Sequence, residues 1–310
     1  MTWFAELFGF PESKNGLRRN ITVDGEHMHS AANGRTFTHG TLDIPNLGEL
    51  QDQAELVEAD VEGDIRVREV VADAKELHRD PANAGALFQV ASQFNLLEMV
   101  APDVTPDRGI TRYSGDLTQG PACAMACGAG TLYRNWMAQT TKDQIDTIAD
   151  VGELLGNDGN LYWKMRNGYA LLTGECPDNL PQAHTALRVG VHHDTEVTLE
   201  GAGHLVTQAY CSALPIAYSP NAAADQVEQL GRMVLNSAYE ATLAAGVINA
   251  GRTGNNTIFL TLLGGGVFGN PSNWIIDAIE RATALYGHVA LDVVTVSYGS
   301  SNPELARILR

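Results

Sequence analysis

Short apolar runs alternate with longer helical patterns over most of this chain. Residues 65–71 (IRVREVV) and 85–90 (GALFQV) read as strands, the first rich in β-branched side chains behind Gly63-Asp64. Residues 257–263 (TIFLTLL) form a continuous apolar strand, and 291–298 (LDVVTVSY) a final one. Segments 169–173, 188–194, 196–199 and 206–213 are strand-like as well. Residues 121–136 (PACAMACGAGTLYRNW) are small and apolar nearly all round, which predicts a buried central helix. An amphipathic helix is expected over 143–155, ended near Gly156. The longest helical pattern, 222–245, repeats Val227, Leu230, Val234, Leu235, Ala238 and Leu243. A last helix over 271–286 carries Pro and Ser in its first turn, where both fit best.

Strands alternating with helices predict an α/β fold: a three-layer arrangement with helices flanking a largely parallel sheet. The 188–213 connection looks antiparallel, so the sheet should be mixed. Short strands at 21–23, 27–29 and 35–38, separated by Asp24-Gly25 and Asn33-Gly34, predict a β-rich extension over 1–62 packed on a 63–310 domain. Ligands of open α/β sheets lie beyond the carboxyl ends of the strands. Segments 92–98, 264–270 and the loop into Pro121 stand at such ends.

Composition narrows the class. With 310 residues, 44% apolar and 18% charged, the chain is neither disordered nor a solvated coiled coil. No apolar run approaches the roughly 20 residues that span a bilayer. The opening MTWFAELFGFPESK puts Glu6 where a secretion signal needs cationic and then apolar residues, so none is expected. The 37 acidic and 20 basic side chains give −17. Such a chain repels bulk nucleic acid and anionic membrane, and any phosphate must be held mostly by backbone N–H groups and helix ends rather than by a basic patch. Of the four cysteines, Cys123 and Cys127 are spaced for a metal pair, but no nearby His completes a set. Small buried side chains are the preferred reading, and the absence of disulfide density predicts a reducing, cytoplasmic setting. Neither a cofactor nor a metal is implied. His192-His193 sit on a strand-like run and so point to opposite faces, one packed and one solvated.

Three segments carry candidate chemistry. Gly264, Gly265, Gly266, Val267, Phe268, Gly269 and Asn270 follow an apolar strand and open a helix. Successive glycines leave N–H groups open beside a helix N-terminus, a setting for a diphosphate, with Phe268 offered to a sugar or base. The alternative is a tight turn with a buried Phe. Gln119, Gly120, Pro121 and Ala122 start the small-residue helix, either to approach a ligand or to pack closely. Gln93 and Asn95 stand at a strand end where an amide can reach a ribose hydroxyl, and Glu98 and Asp116 are candidate acid/base carboxylates. The bland readings are a turn-forming Asn and a solvated Glu.

The order of these pieces resembles the macrodomain fold, the ADP-ribose-binding module that includes poly(ADP-ribose) glycohydrolases. The resemblance spans roughly residues 65–300. It implies Asp73, after Val70-Val71-Ala72, as the adenine contact. It also implies Asn95 near the distal ribose, Thr118 to Ala122 as the helix-opening turn, and 262–270 as the diphosphate loop. The consecutive Glu pair of the glycohydrolases does not follow Gly120, where Ala122 and Cys123 stand. The resemblance therefore implies ADP-ribose, or an ADP-ribosylated substrate, as partner, and supports binding more directly than hydrolysis.

Overall fold

The computed structural model describes residues 1–174, 177, 180–222 and 224–309. Strands β1 (Ile21–Asp24), β2 (His27–Ser30) and β3 (Thr36–Thr38) form a small antiparallel sheet, as the turn signals predict. The main sheet has seven strands: β4 (Thr41–Asp43), β5 (Arg66–Val71), β6 (Leu87–Ala91), β9 (Gly190–Glu196), β10 (Leu205–Cys211), β11 (Thr257–Leu260) and β12 (Asp292–Ser297). Between them in sequence, β7 (Trp163–Arg166) and β8 (Tyr169–Leu172) make a separate hairpin. The order across the main sheet is β4-β9-β10-β6-β11-β12-β5. From β10 to β5 all neighbours are parallel, while β9 and β4 run antiparallel at one edge. The mixed α/β sheet is thus as the pattern predicts, except that the two runs expected at 188–194 and 196–199 give one strand, Gly190–Glu196.

The helices are α1 (Trp3–Phe8), α2 (Lys14–Asn20), α3 (Leu47–Glu55), α4 (Ala74–Arg79), α5 (Gln119–Ala126), α6 (Gly128–Trp136), α7 (Ala149–Leu155), α8 (Leu180–Ala183), α9 (Ala224–Thr253) and α10 (Ser272–Leu285). One face of the sheet packs on α9, flanked by α3 and α10. The other face packs on α4, α5 and α6. Central strands buried on both faces read as apolar runs, which is why they were legible.

Two expectations need correction. The helix over 121–136 is two helices broken at Cys127, whose ψ is +63°. There the Gly128 N–H leaves the helical ladder and donates to Thr198 Oγ1 at 2.9 Å. The helix over 143–155 is helical only from Ala149. Its first half is tied elsewhere, because Thr147 donates its N–H and its hydroxyl to Phe94 O at 2.9 and 3.0 Å. Within the expected extension, β4 pairs with β9, and Leu47, Leu50 and Ala54 of α3 belong to the main core.

Residues before β4 form an outer layer. Phe4, Phe8, Phe10 and Phe37 cluster against Ala124, Ala129 and Leu132 of α5 and α6. Its Glu12 carboxylate accepts from Ile110 N–H at 2.9 Å, Thr111 N–H at 2.7 Å and Trp136 Nε1 at 2.7 Å. That clamp fixes the loop leading to Tyr113 and α5. Cys123, Cys127 and Cys211 are free and buried, while Cys176 lies outside the described residues. His192 is buried and His193 is half-buried, its Nε2 at 3.6 Å from Asp43. Among the described residues no helix is long and apolar enough to cross a membrane.

Candidate active site

The five parallel strands end on one edge of the sheet, and a cavity of about 940 Å³ opens there. Turns after β5, β6, β10, β11 and β12 line it, and the start of α5 completes it.

The turn after β11 is held by its own hydrogen bonds. The N–H groups of Gly265, Gly269 and Asn270 donate to Leu262, Gly266 and Gly264 carbonyls at 3.1, 3.0 and 3.0 Å. Gly264 has φ +76°, and a Cβ there would stand 2.5 Å from Ala213 Cβ, so glycine is required. Between these anchors the amides of Gly266, Val267 and Phe268 have no acceptor among the described residues. Open space surrounds the Cβ position of Gly266. Gly264, Gly266, Val267 and Phe268 line the cavity; Gly265, Gly269 and Asn270 do not. The run expected at a ligand is thus divided between cavity wall and inward-facing backbone. A tight turn must point part of its backbone inward to close, and the Asn270 amide donates to Leu214 O at 2.9 Å to pin it. Phe268 is mostly buried against Tyr169 and Tyr218, with ring centroids at 5.5 and 6.1 Å.

The start of α5 is built differently. Asp116 Oδ1 accepts from the Thr118 N–H at 2.9 Å and hydroxyl at 2.6 Å, which presets the turn. Thr118 gives no side-chain cap, so the N–H groups of Gln119 and Gly120 are unpaired among the described residues. The Gln119 side chain is not free for a ligand. Strands β6 and β11 pair only at Leu87 and Phe88, and the Gln119 amide fills the gap beyond. It donates to Gln89 O at 2.8 Å and accepts from Ala91 N–H at 3.0 Å. A Cβ on Gly120 would stand 2.0 Å from Ala91 O, so α5 touches the strand end through this glycine. Asp116, Gln119, Gly120, Pro121 and Ala122 all line the cavity.

The segment after β6 turns sharply at Leu96, which adopts a left-handed φ of +62°. Asn95 is thereby sent into the interior. Its amide donates to Gln144 Oε1 at 2.9 Å and accepts from Leu97 N–H at 3.2 Å, and it does not line the cavity. Asn95, expected at a ribose, thus stands behind the cavity wall, within the turn. Gln93 does line the cavity, with its Oε1 accepting from Met99 N–H at 2.6 Å. Glu98 returns to the cavity wall, only 3% exposed. Neither carboxyl oxygen has a hydrogen-bond partner among the described residues. Burial pushes its pKa up to about 7, with Arg134 and Tyr113 pulling the other way. The Tyr113 hydroxyl accepts from the Glu98 N–H at 3.1 Å.

Asp73 is exposed at the end of β5, lines the cavity and caps α4 by accepting from Lys75 N–H at 2.7 Å. Lys75 is the one cationic side chain among the described lining residues, against the carboxylates of Asp73, Glu98 and Asp116. An anion in this cavity therefore meets main-chain N–H groups. Sequence reasoning missed Tyr169, Tyr218 and Tyr298. Tyr298 was readable as an aromatic residue at a strand end. It is 82% exposed, and the Ser297–Val71 pairing sets it beside the turn that carries Asp73. Glu69 holds its loop, accepting from the Ser297 and Ser301 hydroxyls and the Asn302 N–H at 2.6, 2.6 and 2.7 Å. These bonds lower the Glu69 pKa. The described residues contain no group of three metal-ligating side chains.

No protein-family model and no curated protein matches the chain. Solved structures do. The poly(ADP-ribose) glycohydrolase from Thermomonospora curvata superposes with a TM-score of 0.51 at 15% identity, covering 98% of this chain and 95% of that one. The same protein bound to the inhibitor ADP-HPD gives 0.49 at 14%, over the same shares of the two chains. The glycohydrolase from Deinococcus radiodurans in complex with ADP-ribose gives 0.46 at 13%, over 85% and 90%. The seven-stranded mixed sheet and its flanking helices are thus the fold of the Thermomonospora curvata glycohydrolase.

Proposed function

We propose that the chain binds ADP-ribose, or a related nucleotide diphosphate sugar, and hydrolyses an ADP-ribosyl glycosidic bond. One observation carries the reading: three unpaired amides, Gly266 to Phe268, share a cavity with a buried carboxyl, Glu98. The amides take the diphosphate, helped by the free N–H groups of Gln119 and Gly120. Tyr298 offers its face to the base beside Asp73. The fold shared with a glycohydrolase supports the assignment.

In the reaction, Glu98 gives its proton to the leaving atom as the bond to the ribose C1 breaks. Positive charge develops on the sugar, and water closes on that carbon. The water's proton returns to Glu98, leaving ADP-ribose and the protonated acceptor. Glu98 must start protonated, so kcat/KM falls as pH rises through about 7. Release of ADP-ribose from an ADP-ribosylated substrate is the test. In Glu98→Gln the rate should fall on the order of 10² to 10⁴-fold while ADP-ribose still binds; an unchanged rate removes Glu98 from the mechanism.

A second reading keeps the pocket without turnover. It is favoured by Gly120-Pro121-Ala122, which brings no carboxylate to the start of α5. It expects calorimetric binding of ADP-ribose with no product.

A further inference from the structure

Arg134 of α6 is fully buried. A guanidinium does not shed its proton inside a protein, so this charge must be answered by its surroundings. Its Nε donates to Leu96 O at 3.0 Å, and its Nη2 to Thr131 Oγ1 at 3.4 Å. Its central carbon lies 3.5 Å from the Tyr210 ring centre. Nη1 has no partner among the described residues. One carboxylate is in range: Glu98 Oε1, 3.7 Å from Nη2. Two buried ionisable groups, each short of hydrogen bonds, therefore face each other, and the Arg134 charge favours the ionised form of Glu98. At 3.7 Å the pair is looser than a hydrogen-bonded ion pair, so the guanidinium acts on Glu98 through its charge rather than through a hydrogen bond. Arg134 also holds the carbonyl of Leu96, the left-handed residue of the turn that carries Glu98.

We propose that Arg134 is the positioning residue for Glu98: its fixed buried charge holds the carboxyl at the cavity wall and sets the pH range over which Glu98 yields its proton. This rests on the reading of Glu98 as the acid. Other groups facing Glu98 do not substitute for Arg134. Asp116, before α5, opposes ionisation. Tyr113, Cys123 of α5 and Tyr210 of β10 stay neutral, held so by burial. Among the described residues, Arg134 is the one cation acting on the carboxyl.

The experiment is a carboxyl ¹³C NMR titration of the full chain, with the Glu98 signal identified by Glu98→Gln. In the unaltered protein the midpoint should lie near 7. In Arg134→Met it should rise by about one unit or more, because an opposite charge at this range is worth that much. The alkaline limb of ADP-ribose release should move with it. A folded Arg134→Met variant with an unmoved Glu98 midpoint overturns the proposal. Where that variant does not fold, the unaltered protein decides: a midpoint of about 8 to 9, typical of a buried Glu without a cation, overturns it as well. A midpoint that moves as expected, in a protein that turns over no ADP-ribosylated substrate, upholds the positioning role and rejects the hydrolytic reading.

Discussion

The two glycine turns that open onto the cavity look alike in sequence and serve opposite ends. In the turn after β11, Gly264 is wedged against Ala213, while Gly266, with open space around it, and Val267 and Phe268 keep three amides without acceptors among the described residues. At the start of α5, Gly120 is a contact surface. Its missing Cβ admits the Ala91 carbonyl and brings the Glu98 Cγ to 3.1 Å from the position that Cβ would occupy. One turn leaves backbone N–H groups open on the cavity; the other drops a side chain so that a carbonyl and the Glu98 side-chain stem come close. A glycine before a helix therefore identifies close approach without saying what approaches.

Substitutions separate the two uses. Gly120→Ala should have the largest effect, lowering stability by about 3 kcal/mol in chemical denaturation, because the methyl meets a backbone carbonyl that cannot swing away. A stable variant would mean that α5 slides freely past β6. Gly264→Ala combines a left-handed φ with the Ala213 clash and should cost about 2 kcal/mol, with ADP-ribose affinity falling alongside. Gly266→Asp is the sharpest probe. Stability should stay within about 0.5 kcal/mol, since the site is open. ADP-ribose binding by calorimetry should weaken about tenfold or more, since a carboxylate would stand where the amides receive a diphosphate. Undiminished affinity would strip this turn of its anion role.

The hydrophobic pattern made the sheet legible. Strands β6, β11 and β12 are buried, so their sequences are apolar runs wherever they sit. Helix boundaries were less legible. Nothing local marks Cys127 as a break, since the partner that ends the helix, Thr198, lies 70 residues away. The 143–148 stretch has helical periodicity, yet Thr147 serves the Phe94 carbonyl instead. The same limit applied to the site. Glu98 and Asn95 stand three residues apart on one loop and are equally polar, but the left-handed Leu96 turn sends one into the interior and returns the other to the cavity.

By itself the sequence determined the α/β layers, the turn positions and the acidic balance of the chain, because apolar periodicity, glycine and charge content are written in the residues themselves. Only the tertiary structure decided which amides stay unpaired, which carboxyl is buried and which arginine answers it. Those depend on what distant segments place against each group, and a buried charge acquires its character from its neighbours.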